Sequence, residues 1–145
     1  MPKTPKRLST VQATYLTEIL KMTQAGRQVT TGVLAERFKV RPPTVVGVMR
    51  ELESKGLLKR VGWGRVDLTD QGRGVASDLI HVHRVIETYF ANVIGIDPER
   101  SCRLARSIET AIRRDEAAMF CKLLNYPDKC VHGEEVVHAW CRDQD

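Results

Sequence analysis

The side chains able to bind a soft or borderline metal all sit in one half of the chain. The four histidines (His81, His83, His132 and His138) and the four cysteines (Cys102, Cys121, Cys130 and Cys141) lie after residue 80. His83 and Glu87 are four residues apart, so on a helix they share a face and can share an ion. A hydrogen-bonded pair without metal explains that spacing as well. His81 is turned by about 200° from His83 on a helix and is not expected to join it. The cysteines are separated by 18, 8 and 10 residues, a pattern that matches no compact zinc or iron–sulfur motif. Four thiols within one 40-residue stretch are nevertheless what a thiolate-rich centre needs, and thiolates select iron or zinc over manganese. Cys121, Cys130 and Cys141 are therefore expected to form or join such a centre, with His132 able to replace one thiolate. Scattered core thiols remain the competing explanation, because free cysteine is often buried. The first residues, Met1 to Arg7, are basic without an apolar stretch behind them, so they are not a secretory signal. The thiols are accordingly expected to be reduced, in a cytoplasm.

Helices must position these groups. Residues 70–93 read as one long helix capped by Thr69, its start loosened by Gly72 and Gly74. Val75, Leu79, Val82, Val85, Ile86, Tyr89 and Phe90 cover more than one of its faces, which implies burial against another helix or a second subunit. Gly95 ends it, and Asp97-Pro98 opens the next helix in cap-then-proline order, with Leu104, Ile108 and Ile112. Asp115 is expected to cap a further helix that Asn125 and Pro127 stop. Val82, Ile86, Tyr89, Phe90, Ile108 and Ile112 form the expected homodimer surface. Residues 128–145 make a Cys-containing C-terminal tail.

The first half is of a different kind. Residues 1–65 hold 13 Lys and Arg against 4 Asp and Glu, a charge of +9, while the remainder holds 10 against 14, a charge of −4. A basic half joined to a mildly acidic one suggests that the first meets a polyanion. Residues 1–7 are Pro- and Lys-rich and are expected to form a basic arm. A first helix from Ser9 carries Val11, Tyr15, Leu16, Ile19 and Met22, and a second runs from a Thr30 or Thr31 cap to Phe38. Pro42 and Pro43 suit the first turn of a third helix, whose Val45, Val48, Met49 and Leu52 make one apolar face. Gly56 suits the left-handed residue past its end. Leu57–Val61 and Arg65–Thr69 are strand-like, joined by Gly62-Trp63-Gly64. That order is a winged helix-turn-helix, in which the third helix enters the major groove of double-stranded DNA and the wing touches the backbone. Arg41, Thr44 and Arg50 are expected near bases, with Pro43 at the helix entry; Lys59, Arg60 and Arg65 are expected on phosphates.

The fold class expected is mainly α: a winged helix-turn-helix DNA-binding domain over residues 1–75, then an all-helical dimerisation and metal-binding domain over residues 76–145. No apolar run approaches the roughly 20 residues that span a membrane. No Ser/His/Asp order, phosphate loop or paired acidic motif favours an enzyme.

From about Leu8 to Glu134 the chain resembles the metal-dependent regulators typified by the diphtheria toxin repressor and the manganese transport regulator. The likeness lies in R-P-P-T-V-V (41–46), L-T-D-Q-G-R (68–73), H-R-V-I-E-T-Y-F-A-N-V-I-G-I-D (83–97) and Y-P-D-K-C-V-H-G (126–133). It implies a homodimer that binds a divalent metal and grips a palindromic operator. His83 and Glu87 match family ligands, Cys102 falls where a family histidine serves the same secondary site, and Glu109 falls on a family glutamate ligand. Three other ligand positions hold Thr14, Arg106 and Thr110, so the usual primary site looks dismantled. Gly47 occupies the family's polar base-reading position. The resemblance implies a metal-responsive transcriptional regulator, a repressor linked to iron as Fe2+, with zinc and then manganese behind it. The alternative is an iron–sulfur or redox-sensing factor of the same fold.

Overall fold

The computed structural model describes residues 7–144. Its helices are α1 (Thr10–Gln24), α2 (Thr31–Phe38), α3 (Pro42–Ser54), α4 (Asp70–Tyr89), α5 (Pro98–Ile108) and α6 (Arg114–Leu123), with strands β1 (Leu58–Gly62) and β2 (Arg65–Leu68) between α3 and α4. The mainly helical fold with one small sheet is as expected. The chain divides into two compact units, one up to Ser77 and one from Asp78. The arm expected over residues 1–7 lies, apart from Arg7, outside the described residues.

In the first unit each helix starts where its cap dictates. The Ser9 hydroxyl accepts from the Gln12 amide, and the Gln12 side chain accepts from the Ser9 amide in return. Thr30 accepts from the Val33 amide at 3.1 Å. Lys39, left-handed at φ +55°, turns the chain from α2 into α3. Leu16, Ile19, Leu34, Val45, Leu52 and Leu68 are fully buried. Val11 does not join them: it is 53% exposed, because its helical position falls off the stripe made by Tyr15, Leu16 and Ile19. The wing pairs Leu58 with Leu68 and Arg60 with Val66. Its second strand also meets the start of α2, where the Val66 amide donates to the Val29 carbonyl and the Thr31 amide to the Gly64 carbonyl.

Thr69 caps α4, accepting from the Gly72 amide at 3.0 Å. Gly72 tightens this start rather than loosening it: a Cβ there would lie 2.0 Å from the Leu57 carbonyl oxygen, so only glycine allows the helix so close to that backbone.

In the second unit, α4 ends at Tyr89 and the chain continues as a wider π-helical turn, Phe90–Ile94, closed by Gly95 at φ +85°. Asp97 caps α5. A single 3-10 turn, Glu109–Ala111, follows, so Ile112 lies beyond α5 rather than in it. Asp115 is not the cap of α6. Arg113 holds that position, its amide donating to Glu116 at 3.0 Å. The expected dimer surface is corrected as well: Val82 and Ile86 pack on Ala105 and Ala117 within the unit, with Phe90 and Ile112 against them. Of the expected surface Ile108 is exposed, and Val93, Ile94, Leu104, Met119 and Leu123 are exposed beside it among the apolar residues.

The glycine pair makes the packing measurable. Gly72→Ala should lower unfolding stability by more than about 1 kcal/mol, whereas Gly74→Ala, which meets nothing within 4 Å, should raise it by about 0.5–1 kcal/mol. Urea unfolding of both proteins checks this; equal effects would refute the close approach at Gly72.

Candidate metal centre and nucleic-acid face

The end of α4 presents His83 and Glu87 one turn apart, as their spacing requires. The His83 Nδ1 lies 2.6 Å from Glu109 Oε2, and its Nε2 lies 3.3 Å from Glu87 Oε2. Cys102, on α5, brings its Sγ to 3.5 Å from the same Nε2. The ligand atoms of His83, Glu87 and Cys102 all lie within 4.8 Å of one another. These separations suit a shared ion, since bonds of about 2.0 to 2.3 Å put tetrahedral neighbours roughly 3.4 to 3.6 Å apart. Glu109 stands behind the imidazole rather than among these atoms. There it fixes the proton on Nδ1 and turns the Nε2 lone pair towards Glu87 and Cys102, the arrangement that orients a metal-binding histidine.

Burial alone would lower the His83 pKa, but its bonds to Glu109 and Glu87 prevail and raise it to about 9. Burial would raise Glu87; hydrogen bonds from His83 and Cys130 and the nearby His132 hold it below the usual carboxylate range. Glu87 and Glu109 are each only 3% exposed. The metal-free protein therefore keeps a proton on His83 where a cation would serve the same two carboxylates. Imidazole, carboxylate and thiol together fit a divalent transition metal.

A second group borders the first across Glu87. Cys130 and His132 share a turn in which the Cys130 amide donates to the Glu134 carbonyl and the Gly133 amide to the Cys130 carbonyl. His132 Nδ1 lies 3.2 Å from Glu87 Oε2, and Glu87, Cys130 and His132 form a potential ligand triad. Protein contacts hold this turn. Arg84 donates to the Glu135 carbonyl at 2.5 Å and to Glu134 Oε2 at 2.7 Å. The Val131 amide donates to the Thr88 hydroxyl at 3.2 Å.

The four thiols do not assemble. Cys102 belongs to His83 and Cys130 to Glu87, while Cys121 and Cys141 meet each other at 3.6 Å, beside His138. The expected thiolate-rich centre, and with it the iron–sulfur alternative, is not supported: Cys121, Cys130 and Cys141 pack in one buried cluster with Val85, but no group of ligand atoms among the described residues brings more than two thiols together. His81 and His138, which the spacing did not select, complete the group around Cys121 and Cys141. The signal was present in His138-Ala-Trp-Cys141, whose two ligand types stand three residues apart. The family's first-helix ligand position, Thr14, uses its hydroxyl on the Thr10 carbonyl at 2.8 Å.

In the first unit Arg41, Pro43, Thr44, Gly47 and Arg50 are exposed on or at the entry to α3, and Lys59, Arg60 and Arg65 are exposed on the wing. Arg60 pairs with Glu53 at 3.1 Å. Arg41, Arg50, Lys59 and Arg65 make no ion pair among the described residues. Trp63, at the wing tip, is 99% exposed. No helix among the described residues is long and apolar enough to cross a membrane.

Comparison with known proteins places these features. The model of the iron dependent repressor N-terminal DNA binding domain matches residues 7–64, and that of the iron dependent repressor metal binding and dimerisation domain matches residues 69–137. The iron-dependent repressor IdeR of Mycobacterium tuberculosis is 29% identical over 122 residues, covering 84% of this chain and 53% of its own. The transcriptional regulator MntR of Escherichia coli is 27% identical over 105 residues, covering 72% and 65%. The chain thus spans about half the length of the IdeR relative. Among solved structures, a hypothetical protein from Sulfolobus solfataricus superposes with a TM-score of 0.71 at 30% identity, covering 90% of this chain and 99% of that one. A manganese-dependent transcriptional repressor in complex with manganese gives 0.77 at 29%, covering 88% and 59%. Two adjoining models from a single family account for nearly all the described residues, and the chain belongs to that family, the iron-dependent repressors typified by the diphtheria toxin repressor and the manganese transport regulator.

Proposed function

We propose that the protein is a metal-responsive DNA-binding repressor that acts as a homodimer on a palindromic operator. The observation that carries this is the convergence of His83 Nε2, Glu87 Oε2 and Cys102 Sγ, in a chain whose other half exposes basic side chains on a helix and its wing, Arg41, Arg50 and Arg65 making no ion pair among the described residues. In this reading residues 1–75 bind DNA and residues 76–145 dimerise and bind metal. His83, Glu87 and Cys102 hold the ion, Cys130 and His132 complete its surroundings across Glu87, and Glu109 orients His83. A bound divalent cation supplies the charge that lets Glu87 and Cys102 stay ionised together. A thiolate and an imidazole favour Fe2+ or Zn2+ over Mn2+, and the iron-dependent relatives favour iron. The exposed Val93, Ile94, Leu104 and Ile108, on the π-helical turn and on α5, supply an apolar surface for a second copy.

On the DNA, Arg41, Thr44 and Arg50 face the bases, with Pro43 at the entry to α3 and Gly47 leaving one base position without a polar reader. Lys59, Arg60 and Arg65 hold phosphates. Two-fold symmetry sets two copies of α3 about one or more DNA turns apart.

Three measurements test this. Glu87→Gln should weaken Fe2+ or Zn2+ binding and abolish metal-dependent retention of DNA selected by the wild-type protein; unchanged metal titrations would refute the centre. Arg84→Ala leaves every proposed ligand in place but frees the turn bearing Cys130 and His132, and should lower metal affinity by about tenfold. Arg65→Ala should weaken binding to all DNA sequences and reduce the slope of log affinity against log salt by about one. An unaltered slope would remove the wing from the interface.

A further inference from the structure

We propose that His81, Cys121, His138 and Cys141 form a second metal site, separate from the His83 centre, that takes a tetrahedral divalent ion of zinc type and fastens the C-terminal segment to α4 and α6.

The four ligand atoms lie within 4.8 Å of one another. Cys121 Sγ is 3.6 Å from Cys141 Sγ and 3.3 Å from His138 Nδ1, and His138 Nδ1 is 3.0 Å from Cys141 Sγ. For zinc bonded to two sulfurs and two nitrogens, tetrahedral geometry requires roughly 3.8 Å between the sulfurs and about 3.6 Å between sulfur and nitrogen. The sulfur–sulfur edge and the Cys121–His138 edge lie within about 0.3 Å of those lengths, and the His138–Cys141 edge must open by about 0.6 Å.

The tautomer of His138 is set by its neighbours. Its Nε2 lies 2.8 Å from the Pro127 carbonyl oxygen, which can only accept. Nε2 therefore carries the proton, and Nδ1 turns a lone pair towards both thiols. A backbone carbonyl on the far nitrogen is the usual partner of a metal-bound histidine.

His81 supplies an independent observation. It is only 5% exposed, and among the described residues neither of its ring nitrogens meets the distance and angle of a hydrogen bond, the Val137 backbone being its nearest polar neighbour of the main chain. A buried imidazole with both nitrogens unsatisfied is costly unless something not made of protein meets it. A disulfide between Cys121 and Cys141 would leave that imidazole and His138 Nδ1 unmet; an ion satisfies both.

Charge favours the same assignment. Cys121 and Cys141 are 0% and 1% exposed. On binding, each thiol gives its proton to solvent, and the two thiolates cancel the 2+ charge of the ion. The buried complex is then neutral, which avoids the penalty of an unpaired buried charge. All four positions are filled by protein, as in structural rather than catalytic sites. Asp78 braces the last turn from the other side, accepting from Trp140 Nε1 at 3.0 Å and from Arg114 at 2.8 and 2.9 Å.

The site stands whether or not the His83 centre binds metal, and the test separates them. In Cys102→Ser/Cys130→Ser the only remaining thiols are Cys121 and Cys141. Titrating the metal-free full chain of this variant with Co2+ should give a tetrahedral cobalt spectrum with a thiolate charge-transfer band, saturating at about one ion per chain and displaced by Zn2+. Adding Cys141→Ser should remove or halve that band, and adding His81→Ala should weaken the binding. A folded variant that shows no thiolate band overturns the proposal, as does a Cys121–Cys141 disulfide recovered from protein purified under reductant. Should the double variant fail to fold, zinc-edge absorption of the Glu87→Gln protein, whose His83 centre is weakened, loaded with one equivalent of Zn2+ decides: two sulfurs and two nitrogens support the site, and one sulfur with oxygen ligands overturns it.

Discussion

His83 stands between two carboxylates that are almost wholly buried, and much of the second unit exists to keep it there. Glu87 comes from the same helix and Glu109 from the turn after α5, so that turn must break off where it does for Glu109 to reach Nδ1. Removing a positive charge from between such groups would leave two anions in a poorly solvated place. On the proposed function the position is filled either by a proton on the imidazole or by a metal ion beside it. That exchange, and not a preformed empty cavity, would then be the physical basis of a response.

The helix α4 serves two chemically different sides. His81 and His83 are two residues apart and so point in nearly opposite directions. One meets thiols and an imidazole, the other two carboxylates and a thiol. The segment after α6 is folded so that Cys130 and His132 present their ligand atoms to Glu87 while His138 and Cys141 present theirs to Cys121 and His81. The thiols of one short stretch are thereby divided, and the donor set on each side is mixed.

Much of the first unit could be read directly from the chain. The apolar spacing of α3, the cap at Thr30 and the glycines around Trp63 are local signals, and local signals survive folding. Val11 is apolar by type but lies off the centre of the α1 stripe, and residue type alone does not say where that centre falls. The second unit was less legible for two reasons. Its dimer-surface residues were chosen by hydrophobicity, but Val82 and Ile86 are consumed by packing on small residues, Ala105 and Ala117, that carry little signal of their own. Its thiols were grouped by type, whereas the fold groups them by the ligand atoms they meet. His83 with Glu87 was visible as a spacing; that Glu109 would stand behind the imidazole depends on a turn no periodicity announces. The close approach at Gly72 was likewise hidden, since a glycine near a helix start is read as looseness when the partner backbone is unknown.

Protein contacts from Arg84 and Thr88 hold the turn bearing Cys130 and His132. Ligand arrival therefore need not order that stretch first, and affinity is not reduced by the fraction of time the stretch would otherwise be undone. What remains to set the concentration threshold is the exchange of the His83 proton. A receptor built on the proposed centre would have a set point that drifts with the acidity around it more than with the mobility of its own chain.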